Sequence, residues 1–239
     1  MKPITQRFVR LLALLSVELV LIWAVFFICI ALFVLMAHEV FIQKDNSLDT
    51  ALFAFARSHT SPEVTRLMRF ISFFASAEYL MVVPALVVLG FSWFEHMRWY
   101  GLKVLLISLT SSVLNQVLKR AFERPRPETA MLEQSGLSFP SGHAMIGGAF
   151  YGVLIYIVWQ TVRSPFWRWL YTVLLTVLIL LIGYSRIYLN VHYATDVVAG
   201  YAIGILWLIA SVYLMRKLEK VYLARYGRAD IDPPPQEKA

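Results

Sequence analysis

Cysteine is almost missing from this chain. Cys29 is the only one in 239 residues, so no intrachain disulfide and no cysteine-rich metal site can form. Charge is also scarce, at 15% of residues against about 25% in soluble domains. With 59% of residues hydrophobic and a mean hydropathy of +0.64, an ordinary soluble domain is excluded. Histidines are few. His38, His59 and His96 are scattered along the sequence, and no grouping of histidines and carboxylates has the spacing of a metal site. Neither a metal nor another cofactor is therefore expected. A net charge of +7 could point to nucleic acid, but the lysines and arginines lie between apolar runs and in the tail. That is how membrane proteins use basic residues, so no nucleic-acid partner is expected.

What the chain has instead is long apolar runs. A spanning helix needs about 20 mostly apolar residues, and six stretches approach that length: 11–36, 71–94, 101–118, 143–162, 170–187 and 197–215. The expected fold is all-α, a polytopic membrane protein with six transmembrane helices. The first run is too long for the apolar part of a cleaved signal, about 7–15 residues, and reads as a retained span. Between the first two runs, Leu48, Leu52, Phe53 and Phe55 suggest a short helix lying on the membrane surface. Ser61 followed by Pro62 marks a helix start, and Pro84 is expected to kink the second span. The domain reading is a short cytoplasmic N-terminus at 1–10, a membrane domain at 11–216, and a cytoplasmic, basic, proline-rich tail at 217–239. Disorder is expected in that tail. Glu18, within the first run, has no assigned role.

Basic residues set the orientation. With the N-terminus inside, more than half of the 22 lysines and arginines fall on the cytoplasmic side, among them Arg98, Lys103, Arg163 and Arg168. Both termini are then cytoplasmic in a multi-pass cell-membrane protein. A second set, Lys119, Arg120, Arg124, Arg126 and Arg186, falls on the outer side, where topology alone does not call for it.

Those cations belong to the first and last of three stretches that stand out: "KRAFERPRP" at 119–127, "PSGH" at 140–143 and "SRIYLNVHYATD" at 185–196. With six alternating spans, all three emerge on one membrane face. In the first, Pro125 and Pro127 forbid a continuing helix, which lets Lys119 and Arg126 fold back toward one point. Such a pair suits phosphate oxygens and equally suits a basic anchor on anionic headgroups. In the second, Ser141 can cap the helix, Gly142 admits a close neighbour, and free helix-start N–H groups favour an anion. His143 there is either a proton donor or a capping histidine at headgroup level. In the third, His192 and Asp196 are spaced i, i+4 and share a helical face. A carboxylate on one ring nitrogen leaves the other free to act as base or nucleophile, and charged groups beside apolar spans carry a high desolvation penalty unless used.

Lys119-x6-Arg126-Pro127, Pro140-Ser141-Gly142-His143 and Ser185-Arg186-x5-His192-x3-Asp196, in that order, resemble the three-part signature of the type 2 phosphatidic acid phosphatase family, which is shared with vanadium haloperoxidases. The match is complete at every signature position, within the C-terminal half of the chain. The resemblance implies a membrane lipid phosphatase with its active site on the extracytoplasmic face. In it His192 is the nucleophile that forms a phosphohistidine, Asp196 orients it, and His143 is the general acid. Lys119, Arg126, Ser141, Gly142 and Arg186 bind the phosphate. Substrate types in the family include phosphatidate, phosphatidylglycerol phosphate and undecaprenyl diphosphate, so the expected partners are a lipid phosphate and the bilayer. A phosphatase for a soluble ester, or an anion transporter using the same cations, are the alternatives. An oriented nucleophile argues against a transporter. Finally, Gly148 and Gly152, and Gly200 and Gly204, repeat at a spacing that lets helices approach closely, here spans four and six.

Overall fold

The computed structural model describes residues 17–226. The expected N-terminal segment, the start of the first span and the proline-rich end of the tail lie outside these residues. The described chain is all helical. Helix α1 (Val17–His38) runs into a π turn (Glu39–Gln43), and α2 (Ser47–Ser58) and α3 (Pro62–Phe73) follow. Next come α4 (Ala77–Ser92), a 3-10 turn (Glu95–Met97), α5 (Arg98–Phe122), and a π turn (His143–Gly147) leading into α6 (Gly148–Thr161). Helices α7 (Pro165–Tyr188) and α8 (Ala194–Tyr226) complete the bundle. Among the described residues, five helices are long and apolar enough to cross a membrane, and there are six candidate spans if α3 and α4 form one broken span. Their outward faces carry exposed Trp23, Phe27, Leu86, Val113, Leu174 and Tyr213. Such a surface is stable only against lipid.

Helix boundaries follow local chemistry. Ser61 caps α3 by accepting a hydrogen bond from the Val64 amide at 3.2 Å, with Pro62 at the first helical position. Pro84, where a kink is expected, is buried within a continuous α4, and a 45° bend falls ahead of it, between α3 and α4, at Phe74, Ala75 and Ser76. There Tyr151 donates to the Phe74 carbonyl at 2.7 Å and Ser76 caps α4 through the Tyr79 amide. The break is held by partners from another helix, which a proline count cannot reveal. Likewise, α8 continues past Arg216 to Tyr226 without interruption.

A short helix, α2, forms where a surface helix is expected, but its apolar side chains do not all face outward. Leu52 and Phe53 pack against Ala144, Ile187, Ala194 and Val197, while Phe55 is exposed. Lys103, expected to serve topology alone, is buried and pairs with Glu219 of α8 at 2.6 Å. At one end of the bundle, then, an ion pair joins α5 to α8.

The small-residue repeats act within the chain, as expected. A Cβ on Gly200 would stand 2.8 Å from the Ser141 carbonyl oxygen, and one on Gly204 would stand 2.7 Å from that of Met145. Helix α8 therefore lies directly on the π turn that leads into α6, and that close approach carries the Asp196 end of α8 to the PSGH segment.

Candidate active site

Helix α5 ends because Glu123 takes a left-handed conformation (φ 48°) and its amide returns to the Lys119 carbonyl at 2.9 Å. Pro125 and Pro127 then keep the chain extended. Ser138 ties the returning loop to this turn: its amide donates to the Arg124 carbonyl at 2.8 Å and its hydroxyl to that of Pro125 at 2.9 Å. Lys119 is buried and donates to the Leu137 carbonyl. Arg126 reaches the other way, from Nη1 to the Val191 carbonyl at 2.9 Å and to His192 Nε2 at 3.2 Å.

The PSGH segment is clamped between α5 and α8. The Ser141 amide donates to the Asp196 carbonyl at 3.0 Å, and Asn115 Nδ2 donates to the Pro140 carbonyl at 3.3 Å. Gly142 suits that clamp, because a Cβ there would lie 3.1 Å from Asn115 Oδ1 and the amide would have to give by a few tenths of an ångström. The cap expected of the Ser141 side chain is not made. Helix residues begin at His143, Gly142 stands at the boundary, and the buried Ser141 Oγ has no protein partner. A buried hydroxyl without a partner carries a desolvation penalty of about 1–3 kcal/mol, which an anion beside it would relieve.

Between α7 and α8, Asn190 turns the chain with φ 55°, its Nδ2 bound to Thr129 Oγ1 at 3.1 Å. This left-handed turn is the role of Asn190 that the sequence leaves unexplained. It presents His192, whose Nδ1 meets Asp196 Oδ2 at 3.3 Å. Asp196 Oδ2 also accepts the Tyr193 amide at 3.0 Å. Because the carboxylate accepts from Nδ1–H, the tautomer this network assigns leaves the Nε2 lone pair unprotonated, accepting from Arg126 Nη1. Burial, reinforced by the neighbouring Arg186, Arg126 and Lys119, pushes the His192 imidazole well below its ordinary range. The ring is thus neutral.

Arg186 is almost wholly buried. It donates from Nη1 to Ser72 Oγ and from Nη2 to Gln134 Oε1 at 3.0 Å, while its Nε has no protein partner. Arg186, His192, Arg126 and Lys119 all lie within electrostatic reach of His143. The structure thus gathers Lys119, Arg126, Ser141, Gly142, His143, Arg186, His192 and Asp196 around one place. Among the described residues no three His, Cys, Asp or Glu side chains cluster as metal ligands would. Sequence reasoning missed Asp49, Ser72, Asn115, Arg124, Gln134 and Thr195, which hold the site residues in place. Of these only Arg124 carried a signal, as a cation at a span end with no topological use.

A family model described as the PAP2 superfamily matches residues 100–220. The phosphatidylglycerophosphatase B of Bacillus subtilis is 32% identical over 179 residues, covering 73% of this chain and 86% of its own length. An undecaprenyl-diphosphatase of Sulfolobus acidocaldarius is 28% identical, covering 68% of this chain and 76% of its own. The crystal structure of a transmembrane PAP2 type phosphatidylglycerolphosphate phosphatase from Bacillus subtilis superposes with a TM-score of 0.70 at 29% identity. It covers 81% of this chain and 94% of the other. The protein is a multi-pass membrane hydrolase of phosphoric esters. More particularly, it belongs to the PAP2 superfamily, in agreement with the resemblance carried by its three motifs.

Proposed function

We propose that this enzyme removes phosphate from a lipid phosphate or diphosphate through a phosphohistidine on His192. The observation that carries the reading is the His192 ring, held on one side by Asp196 and meeting Arg126 with its Nε2. Nε2 attacks phosphorus and the bond to the leaving oxygen breaks. His143, protonated once the phosphate anion has entered among the cations, gives that oxygen its proton. Water then attacks the phosphohistidine, His143 takes the proton back, and inorganic phosphate leaves with the imidazole restored. Charge spreads over the equatorial oxygens during both transfers, and fixed cations stabilise it. Arg126, Lys119 and Arg186 serve this, with Ser141 Oγ, Arg186 Nε and the Gly142 amide as further donors. Arg126 moves from His192 Nε2 onto a phosphate oxygen when substrate binds.

A lipid substrate explains why these groups sit at span ends, where headgroups lie. Phosphatidate, phosphatidylglycerol phosphate and undecaprenyl diphosphate are the candidates. The similarity to a phosphatidylglycerophosphatase B supports a monoester, and that to an undecaprenyl-diphosphatase supports a diphosphate. Purified protein should release inorganic phosphate from at least one of these three. Activity should persist in excess chelator, because the required cations are side chains, and vanadate should inhibit by adopting the shape of the transition state. Loss of all activity in chelator, restored by a divalent ion, would exclude this mechanism.

The site faces the extracytoplasmic side in this reading, and both termini are cytoplasmic, with the tail beyond 216 on the same side. Exposed Glu133 lies in the loop after α5. In a Cys29→Ser background, Glu133→Cys should react with an impermeant maleimide in intact cells. Reaction only after permeabilisation would reverse the orientation.

A further inference from the structure

Asp49 and Asp196 are the two buried carboxylates among the described residues. Asp196 belongs to the third motif, but Asp49 lies on α2, outside residues 100–220 that define the family match. No step in the mechanism above uses it. The two are joined by Arg124, which is itself buried. Arg124 Nη1 donates to Asp196 Oδ1 and to Thr195 Oγ1, both at 2.7 Å, and Nη2 donates to Asp49 Oδ2 at 2.9 Å. The guanidinium lies on the Tyr193 ring, 3.8 Å from its centroid. Asp49 Oδ1 also accepts the Thr195 amide at 2.9 Å, in the first turn of α8. The Thr195 hydroxyl donates to Asp49 at 3.0 Å.

We propose that Asp49 is a positioning residue for the hydrolase, acting through Arg124 to fix the Asp196 carboxylate and, with it, the His192 ring. The proposal rests on His192 being the nucleophile. Arginine's planar fork makes the linkage directional. With both nitrogens committed, the Asp196 carboxylate can meet the guanidinium in one orientation only, and that orientation turns Oδ2 to His192 Nδ1. Asp49 contributes twice, because it pins the far nitrogen of Arg124 and also caps the helix on which Asp196 rides. Its charge matters as well. Without it, Arg124 has Asp196 as its sole carboxylate partner, which draws Asp196 toward the guanidinium and away from the histidine. Groups that orient a reacting side chain from behind are typically worth about 10- to 100-fold.

The test uses the full-length protein in detergent, with phosphate release from phosphatidate or, if that is not turned over, from whichever lipid phosphate is. Asp49→Asn should lower kcat about 10- to 100-fold with KM within about twofold. Asp49→Asn should add little further loss in an Asp196→Asn background, because it acts through Asp196. Ala56→Gly loosens the same buried face of α2 without touching the carboxylate, so it should lower the unfolding temperature and leave kcat within about twofold. If Ala56→Gly reduces kcat as much as Asp49→Asn does, Asp49 merely anchors a helix and the proposal is wrong. Fully multiplicative losses for Asp49→Asn and Asp196→Asn would also overturn it. Should Asp49→Asn fail to fold, Arg124→Lys carries the test with the same expected result and the same contrary one. It keeps the charge but cannot bridge two carboxylates. Turnover retained in His192→Ala would overturn the nucleophile assignment and this proposal together. Near wild-type turnover in folded Asp49→Asn, with His192→Ala inactive, would overturn this proposal alone.

Discussion

His192→Ala is expected to lower turnover about 10⁴- to 10⁶-fold on every lipid phosphate tested. No other side chain in the site can supply a nitrogen lone pair at the same point. Arg126 meets Nε2 at 3.2 Å, and Asp196 holds Nδ1 from behind. An alanine therefore leaves the cations in place with nothing to attack phosphorus. Substrate affinity should survive, since Lys119, Arg126 and Arg186 remain, so the loss should appear in kcat and not in KM. The wild-type pH profile gives a second check. The neutral ring is the attacking form, and its surroundings hold it well below the usual histidine range. Activity should therefore decline on the acid side, at a pH below about 6.5, once the substrate's own ionisation has been divided out of kcat/KM. An enzyme-borne acid limb at or above 6.5 would mean that the ring is not protected from protonation as the geometry requires. Capture of a phosphorylated His192 in the wild type, absent in the variant, would complete the test.

His143→Ala should separate the candidate substrates. Cleaving a phosphomonoester expels an alkoxide, a very poor leaving group, so the departing oxygen must be protonated as the bond breaks. Cleaving a diphosphate expels a phosphate monoester, which leaves far more readily. Losing a general acid typically reduces the rate about 10²- to 10⁴-fold. That full reduction is expected on phosphatidate or phosphatidylglycerol phosphate, with a much smaller one on undecaprenyl diphosphate. Measuring kcat for the variant on both types decides it. Equal losses would show that His143 chiefly binds phosphate, and its role as the acid would have to be given up.

The spans were legible in the primary structure because a 20-residue apolar run has few alternatives to crossing a bilayer. The three motifs were legible for a related reason. Each is a short local segment whose residues act together, and alternating spans put all three on one face without any further information. Even the glycine spacing on α6 and α8 could be read, because close helix approach is a matter of side-chain size at a regular repeat. The features missed are of another kind. A 45° bend falls where Tyr151 reaches the Phe74 carbonyl, ahead of Pro84, and Ser141 holds an unpartnered hydroxyl where a cap was expected. Lys103 pairs with Glu219, and Arg124 ties Asp49 to Asp196, through partners more than 70 residues apart. A buried polar group must find a partner, but which one it finds depends on how the helices pack. Hydropathy and motif spacing carry no record of that choice. Composition and local order thus sufficed for the helical membrane fold and for locating the three motifs, while the folded bundle alone decided which distant side chains hold them in register.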